Sequence, residues 1–327
     1  MSSRRSLLAQ AILMPAVGAS LLSRGAGAAE AAQGFPSQPV RVLVPLAPGG
    51  SMDAFSRLLG ERLSRIWSVP VVVENRPGAN GMIGATALTT APANGYTVLF
   101  SHSSIVLNPL LRASPGYRLS QFTPVVFLAD LPVAFGLAQL QATSVAGFVA
   151  LAKSRPGELA YGSYGAGSVA HILGELLQRR TGISLVHVPY RGESEAITAL
   201  LGGQIAAMFG SVGGVSQQGE RIAFAAVGNA RRLERFPDVP TFDEVGLALG
   251  DLSGWAGAFV PAETPAPITA KLAADLRQVL AQEDIISRTR DLGFEPRGAE
   301  APPFDDFVRK QTRLWAAAIR DAAVSVE

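Results

Sequence analysis

Short runs of β-branched and other apolar residues alternate with segments of helical apolar spacing along most of the chain, and this alternation constrains the fold more than any other feature. Val40–Val44 is the clearest run, five residues long and ended by Pro45. Ala54–Ile66 shows the helical spacing, with apolar residues three or four positions apart. Runs of this length suit buried strands, and strand–helix alternation is typical of parallel or mixed sheets with helices on their faces. We therefore predict an α/β fold.

The same pattern continues to the C-terminus. Further strands are predicted at Val69–Val73, Thr97–Ser101, Val125–Ala129, Val133–Leu137, Leu159–Gly162, Leu185–Val188, Ile205–Phe209, Ile222–Val227 and Trp255–Val260. Further helices are predicted at Gly84–Thr90, Val145–Ser154, Val169–Arg179, Glu195–Leu201, Pro267–Gln282 and Phe304–Ala323. A chain of 327 residues is too long for one small core and suits two α/β units. Because no low-complexity linker separates them, we expect strands to pass directly between two lobes.

Composition excludes several classes of function. The chain has no cysteine, which rules out disulfides, thiolate nucleophiles, cysteine-ligated metals and a lipid-modified N-terminal cysteine. The formal net charge is only +2. No basic run or arginine–aromatic stripe follows the N-terminal region, so we expect no nucleic-acid partner and no attachment to an anionic membrane.

The first 28 residues contain the three parts of an export signal in order. Arg4 and Arg5 precede the apolar stretch Leu7–Leu22, and the small residues Ala26-Gly27-Ala28 follow. A membrane anchor is the alternative, but this stretch is short for a span of about 20 residues. We predict a cleaved signal peptide of the twin-arginine type at residues 1–28 and a periplasmic mature protein.

Two segments join the end of a predicted strand to the start of a helix through glycines and hydroxyl groups. The first runs from Pro45 to Asp53 and the second from Tyr161 to Ser168. The first N–H groups of a helix lack partners within the helix and carry partial positive charge, and glycines let a ligand approach the backbone closely. Each segment therefore suits a carboxylate or another small oxyanion. The alternative is that these residues only form turns and cap helices.

The sequence offers little support for other chemistry. The second segment lacks G-x-G-x-x-G spacing, and G-x-S-x-G occurs nowhere. The three histidines, His102, His171 and His187, include no close ligand pair, so we predict no metal site. His171 lies one turn into the helix after the second segment, where it either faces a ligand or is a hydrogen-bonded, partly buried residue. We predict no catalytic residues and no cofactor.

A series of short motifs runs in order along nearly the whole chain after the N-terminal signal. They are Phe35–Arg41, Val44–Asp53, Val71–Gly81, Asn94–Thr97, Asn108-Pro109, Gly165–Ser168 with His171, His187–Gly192, Leu201–Gln204, Pro237–Thr241 and Pro261–Pro265. No single motif is specific. Their order and spacing together resemble one family, the periplasmic receptors of tripartite tricarboxylate transporters, also called Bug receptors.

The resemblance implies both a fold and a function. Family members are similar to type II periplasmic binding proteins, in which two Rossmann-like lobes are joined by crossing strands and hold the ligand in the cleft between them. Lobe 1 would contain residues 36–132 and 255–327, and lobe 2 residues 133–254. Family ligands are mostly small carboxylates, held by two glycine-rich loops through backbone groups and ordered waters. We therefore expect a small carboxylate ligand, membrane transporter subunits as partners, and a monomer.

Carried onto this chain, the resemblance predicts ligand contacts on both sides of the cleft. The positions carried over are Ala47, Gly49, Gly50, Ser51 and Asp53 in lobe 1, and Ser163, Gly165, Gly167 and Ser168 in lobe 2. We also predict ligand contacts from Ser103 of lobe 1 and from His171, Tyr190 and Ser211 of lobe 2. Two departures border the cleft. Gly210-Ser211 stands where many relatives have an acid and an asparagine, and Leu46-Ala47 where an aromatic residue and a second proline are frequent. The identity of the ligand therefore does not transfer from any relative.

Three functions fit these observations. In the first, which we expect, the cleft closes on one small carboxylate and hands it to a membrane transporter without chemistry. In the second, a binding protein presents its ligand to a sensor. The third is an enzyme on the same scaffold, which would need a nucleophile, a metal site or a matched acid–base pair.

Overall fold

The computed structural model describes residues 34–247, 249, 252–297, 303–324 and 326. The predicted signal peptide, residues 1–28, lies outside them. The strands are β1 (Val40–Val44), β2 (Val71–Asn75), β3 (Thr97–His102), β4 (Phe122–Leu131), β5 (Val133–Ala138), β6 (Ala160–Ser163), β7 (Val186–Pro189), β8 (Ala207–Ser211), β9 (Ile222–Gly228) and β10 (Gly254–Pro261). They form two five-stranded sheets.

Helices flank both sheets. The α-helices are α1 (Ser51–Trp67), α2 (Met82–Thr89), α3 (Ser104–Leu111), α4 (Val145–Ser154), α5 (Val169–Thr181), α6 (Glu193–Leu201), α7 (Val212–Ser216), α8 (Ala266–Leu280), α9 (Glu283–Asp291) and α10 (Phe304–Ala322). Within the described ranges, no helix combines the length and the apolar character needed to cross a membrane.

The two sheets share one plan. The strand order is β2-β1-β3-β10-β4 in the first sheet and β7-β6-β8-β5-β9 in the second. In each sheet the fourth strand, β10 or β5, runs antiparallel to both of its neighbours. These two reversed strands are the ones that the chain enters after leaving the other sheet. The crossing from β4 to β5 consists of Pro132 alone, whereas β9 and β10 are joined by residues 229–253.

The sheets and their helices make two lobes, lobe 1 around the first sheet and lobe 2 around the second. One face of the first sheet packs on α1 and α8 through residues such as Leu59 and Leu272, and one face of the second packs on α6 and α7. The largest apolar cluster runs through both lobes and includes Trp315 of α10, which is fully buried. Helix α10 lies against α3 and β4 as well as against α5. The C-terminal helix thus packs on both lobes.

This arrangement positions the predicted loops. Because β1 and β3 are parallel, their carboxyl ends meet at one edge of the first sheet. Strands β6, β7 and β8 are likewise parallel, and their carboxyl ends meet at one edge of the second sheet. Open α/β sheets bind ligands at such edges.

Candidate ligand-binding cleft

The predicted contact residues fall on these two sheet edges. Loop A, residues 45–50, joins β1 to α1, and loop B, residues 164–168, joins β6 to α5. Residues 78–81 contact both loops. A Cβ atom on Gly81 would lie 3.4 Å from Cβ of Pro45 in loop A, and Nδ2 of Asn80 lies 3.2 Å from the carbonyl oxygen of Gly167 in loop B. The structure therefore brings the two sides of the predicted site to one place between the lobes.

Loop A presents an open helix N-terminus. The N-cap of the 17-residue helix α1 is Gly50, and no side chain hydrogen-bonds the first turn from that position. Ala47, Gly49 and Gly50 are exposed. A Cβ atom on either glycine would meet nothing within 4 Å, and Gly49 has a φ of +87°, which disfavours other residues. An oxyanion therefore has access to the partial positive charge at this end of the helix.

Asp53, also predicted to contact the ligand, instead hydrogen-bonds the backbone of loop A from a buried position. Its buried carboxylate accepts hydrogen bonds from Gly49 N at 2.9 Å, Asn75 Nδ2 at 3.0 Å and Arg57 Nε at 3.1 Å. Burial by itself raises the pKa of Asp53, but the hydrogen bonds from Arg57, Gly49 and Asn75 together hold it below its ordinary value. We interpret Asp53 as the residue that fixes the conformation of the loop.

Loop B differs from loop A because much of its backbone is already hydrogen-bonded within the protein. Gly165 N donates to Ser163 Oγ at 3.3 Å, and Gly167 N donates to His171 Nδ1 at 3.1 Å. Ser168 caps α5, its Oγ accepting from His171 N at 3.3 Å. These N–H groups of loop B therefore have partners within the protein. In loop A, Gly49 N donates to Asp53, but no side chain caps the first turn of α1. The sequence predicted an anion-binding loop on each side of the cleft, and the structure shows one loop with an uncapped helix end and one whose N–H groups have partners within the protein.

A stack of three rings supports loop B. The imidazoles of His171 and His187 lie parallel with centroids 4.0 Å apart, and the ring of Tyr161 stacks on His187 at 4.9 Å. His187 Nε2 is 2.7 Å from Ser163 Oγ. Burial lowers the pKa of both histidines, that of His187 to about 4. Neutral imidazoles therefore hold the loop, since the acceptor for Gly167 N–H must be unprotonated.

Ser211, at the end of β8, is held by a carboxylate. Glu193 at the start of α6 accepts hydrogen bonds from both the backbone N–H of Ser211 and its hydroxyl, the latter at 2.9 Å. The hydroxyl of Ser211 in turn accepts from Gly214 N at 2.9 Å. A Cβ atom on Gly210 would lie 2.8 Å from Oε1 of Glu193. Glu193 thus places a carboxylate beside Gly210, at the position where the resemblance leads one to expect an acid.

Three predicted residues remain. Ser51 is the first residue of α1 and is half-buried. Ser103 and Tyr190 both have structural partners. Ser103 is buried, and its Oγ accepts from Trp255 N at 2.9 Å, which ties the start of α3 to β10. Tyr190 extends the pairing of β6 with β7, its N–H donating to the Ser163 carbonyl oxygen at 2.9 Å, and its ring lies against Gly162.

Sequence reasoning missed Asn80, Glu193 and the role of His187 in this cleft. Asn80 and His187 stand within motifs that the sequence analysis quoted, but neither motif reveals that its side chain contacts loop B. The only available signal for Glu193 was an acid directly after Arg191-Gly192, at the start of a helix.

Other candidate sites are weaker. In the part of the chain that the structure describes, no group of three or more His, Asp or Glu side chains is arranged to hold a metal ion. A concave region of about 420 Å³ contains none of the predicted contact residues and is lined by Arg235, Glu283, Ile286, Ser287, Arg290 and Asp291. Its charges already pair, Arg235 with Asp291 at 3.8 Å and Arg290 with Glu234 at 3.6 Å.

Comparison with known proteins gives one consistent result. Residues 55–324 match the family described as the tripartite tricarboxylate transporter family receptor. The chain is 31% identical to Protein BugT of Bordetella pertussis over 321 residues, which is 96% of this chain and 98% of BugT.

Solved structures agree with this match. The structure of the periplasmic binding protein BugD has 30% sequence identity and a TM-score of 0.81, covering 90% of this chain and 100% of BugD. R. palustris Rpa4515, solved with adipate, has 29% identity and a TM-score of 0.83, covering 89% of this chain and 99% of Rpa4515. The predicted fold, two Rossmann-like lobes of the type II periplasmic binding protein class, is confirmed. This chain belongs to the tripartite tricarboxylate transporter receptor family, the Bug receptors.

Proposed function

We propose that this protein is a periplasmic solute receptor whose cleft binds one small carboxylate and delivers it to a membrane transporter of the tripartite tricarboxylate type. The observation that carries the proposal is loop A, where the exposed and uncapped N-terminus of α1 lies at the cleft edge of lobe 1. A carboxylate suits this place because it accepts backbone hydrogen bonds and interacts favourably with the helix dipole.

A relative supports the same class of ligand. Rpa4515, which resembles this chain over most of its length, holds adipate, a dicarboxylate. In the proposed complex, one carboxylate meets loop A, and the remainder of the ligand lies against loop B, Tyr190 and the Glu193–Ser211 pair. Because loop B and Ser211 are largely satisfied within the protein, lobe 2 would select the ligand mainly by shape and by ordered water.

The proposal includes the division of the chain and its export. Lobe 1 would comprise residues 36–132 and 255–327, and lobe 2 residues 133–254, in line with the strands of each sheet. Residues 1–28 would be a cleaved twin-arginine signal peptide, and the mature protein a monomer free in the periplasm. The receptor would perform no chemistry on its ligand.

A thermal-shift screen of the mature chain against small mono- and dicarboxylates, beginning with adipate, tests the ligand class. A ligand at 100 times its dissociation constant stabilises the folded state by about 2.7 kcal/mol, which such a screen detects. Recovery of the bound ligand unchanged, measured by NMR after incubation, tests the absence of turnover. A panel in which no carboxylate raises the unfolding temperature contradicts the proposal.

A pair of glycine variants tests the role of loop A. Gly50 and Gly192 are both N-cap residues of helices in extended conformations, and a Cβ atom on either would meet nothing within 4 Å. Gly50→Val should weaken carboxylate binding at least about tenfold, because the side chain shields the end of α1 from the ligand. Gly192→Val makes the same change on the lobe 2 side, at a helix N-terminus that the loop A carboxylate does not meet, and should weaken binding less. Undiminished binding by Gly50→Val would remove loop A from the site.

A further inference from the structure

Four consecutive residues between β2 and α2 have positive φ angles. Gly78 has a φ of 125°, Ala79 of 49°, Asn80 of 52° and Gly81 of 86°. Glycine adopts this region freely, whereas alanine rarely does and asparagine only somewhat more often. Such a conformation persists where the surrounding structure fixes it, and it is concentrated at ligand clamps and switch regions.

The surroundings of Asn80 fix it firmly on the lobe 1 side. Asn108 of α3, which is buried, donates from Nδ2 to the carbonyl oxygen of Asn80 at 3.0 Å. Asn80 returns a hydrogen bond from its own Nδ2 to Oδ1 of Asn108 at 3.3 Å. The buried Tyr117 hydroxyl lies 3.5 Å from Nδ2 of Asn108 and holds this residue in turn. Asn108 thus orients the side-chain amide of Asn80 from within lobe 1.

The same amide nitrogen reaches lobe 2. Its second N–H donates to the carbonyl oxygen of Gly167 in loop B at 3.2 Å. Loop B is held from its own side, since Gly167 N donates to His171 Nδ1. The two lobes approach closely here: a Cβ atom on Gly167 would lie 3.1 Å from Cδ1 of Leu111 in α3. A rigid donor on one lobe therefore meets a rigid acceptor on the other.

We propose that Asn80 is a latch between the lobes, a positioning residue whose hydrogen bond to Gly167 holds the cleft closed and slows the release of ligand. Only the effect on ligand release rests on the proposed function, because the hydrogen bond between Asn80 and Gly167 lies within the protein and needs no ligand. A hydrogen bond made in the closed state and broken on opening favours the closed population and acts mainly on the dissociation rate.

The absence of cysteine makes the lobe separation directly measurable. Val72 on β2 and Val186 on β7 are 52% and 48% exposed, and each lies on an edge strand of a different sheet. Spin labels on Val72→Cys and Val186→Cys report the distance between the lobes by pulsed electron paramagnetic resonance. In the otherwise native chain we expect a narrower distribution at a shorter distance than in chains that also carry Asn80→Gly or Asn80→Asp.

These variants distinguish the effect of the Asn80 side-chain amide from the effect of the backbone conformation at residues 78–81. Asn80→Gly removes the donor but adopts a positive φ freely, and Asn80→Asp keeps the shape but offers no donor to Gly167. Ala79→Gly, at an exposed neighbouring residue, relaxes the backbone and leaves the amide intact, so it is the control and should resemble the native chain. Stopped-flow measurements with adipate should show dissociation about fivefold faster in Asn80→Gly, the effect of about one hydrogen bond. Association should be no slower than in the native chain, because the open state is more populated.

The outcomes distinguish the latch from the receptor function. An unchanged distance distribution and dissociation rate in Asn80→Gly would overturn the latch, as would an equal effect of Ala79→Gly. If adipate and the rest of the carboxylate panel fail to bind the native chain, the proposed function fails. In that case, the distance distributions of the ligand-free native chain and of Asn80→Gly still test whether Asn80 holds the lobes together.

Discussion

All three histidines of this chain lie where the neutral imidazole is favoured. Burial lowers the pKa of His102 and of His187 to about 4 and also lowers that of His171, against an ordinary value of 6.5. The unfolded chain therefore takes up protons at a higher pH than the folded chain does. It follows that the stability associated with these groups is fully present above pH 6.5 and is lost as the pH falls toward 4.

His187→Phe tests this at one position. The aromatic ring can keep the stack on Tyr161 and His171 but does not titrate, and it loses the contact with Ser163. We expect the variant to be less stable than the native chain at pH 7 and the difference to shrink as the pH falls from 6.5 to 4.5. Urea unfolding across this range measures both. A difference that is constant with pH would contradict the assignment of a depressed pKa to His187.

Glu193 has the opposite dependence on pH. Burial raises the pKa of its carboxyl above the ordinary 4.5, although the hydrogen bonds from Ser211 oppose the shift. The folded state then holds the proton more tightly than the unfolded state, so stability falls as the pH rises through the raised pKa. Glu193→Gln does not titrate, and we expect the native chain to lose stability relative to this variant between pH 4 and pH 7 in urea unfolding. Glu220→Gln, at an exposed glutamate of the same lobe, is the control.

At the scale of single elements, helix α3 shows why one part of the fold was not predicted. Its sequence, from Ser104 to Leu111, is mostly apolar, and its two polar residues, Ser104 and Asn108, are buried. Because it also contains Pro109, it has neither an exposed polar face nor an uninterrupted hydrogen-bond ladder. The proline cannot donate to the carbonyl oxygen of Ile105, and the hydroxyl of Tyr117 donates there instead at 3.0 Å. A residue outside the helix thus compensates for a break inside it.

Tyr117→Phe is expected to expose the dependence of α3 on this contact. Loss of the hydroxyl leaves the buried carbonyl oxygen of Ile105 without its donor and removes a partner of Asn108, which should cost about 1–3 kcal/mol in the free energy of unfolding. Tyr96→Phe removes a hydroxyl whose contact with Ser37 is exposed, and it should cost much less. Chemical denaturation of both variants measures these losses of unfolding free energy. Equal losses would contradict a specific role of the Tyr117 hydroxyl in stabilising α3.

Most of the other elements could be predicted because the apolar residues of each recur at the spacing of a helix or form a short run typical of a strand. The predicted bounds of β1 and α4 are the observed ones, and α5, α8 and α10 differ from prediction by one or two residues at an end. Among the described residues, three α-helices were missed. Besides α3, they are α7, five residues with two glycines, and α9, a charged helix that follows α8 after two residues. Neither is long or apolar enough to show a helical period in the sequence.

At the scale of the whole molecule, the sequence predicted which loops reach the cleft but not how they differ. Glycines and hydroxyls look alike in loops A and B, and only the fold shows that His171 and Ser163 satisfy loop B from within. The partners that distinguish the two loops come from residues far apart in the chain, such as His187 for Ser163 and Asn80 for Gly167. Contacts of this range have no local signature, so the contact between the lobes could not be predicted either.

A second close approach between the lobes supplies a test of closure that is independent of Asn80. Gly213 of α7 in lobe 2 lies against residues 292–293 of lobe 1, and a Cβ atom on Gly213 would be 2.7 Å from the carbonyl oxygen of Leu292. Because that oxygen belongs to the backbone, Gly213→Ala must move the lobes apart or strain the contact.

For Gly213→Ala we expect the fraction of closed molecules to fall and the apparent affinity for carboxylate to fall with it, by about tenfold if one molecule in ten remains able to close. Stability without ligand should change little, since alanine favours the helix that it joins. Ser216→Ala on the same helix adds no atom at the contact and is the control. Calorimetric titration of both variants measures the affinities, and undiminished binding by Gly213→Ala would show that ligand capture does not require the lobes to meet at this point.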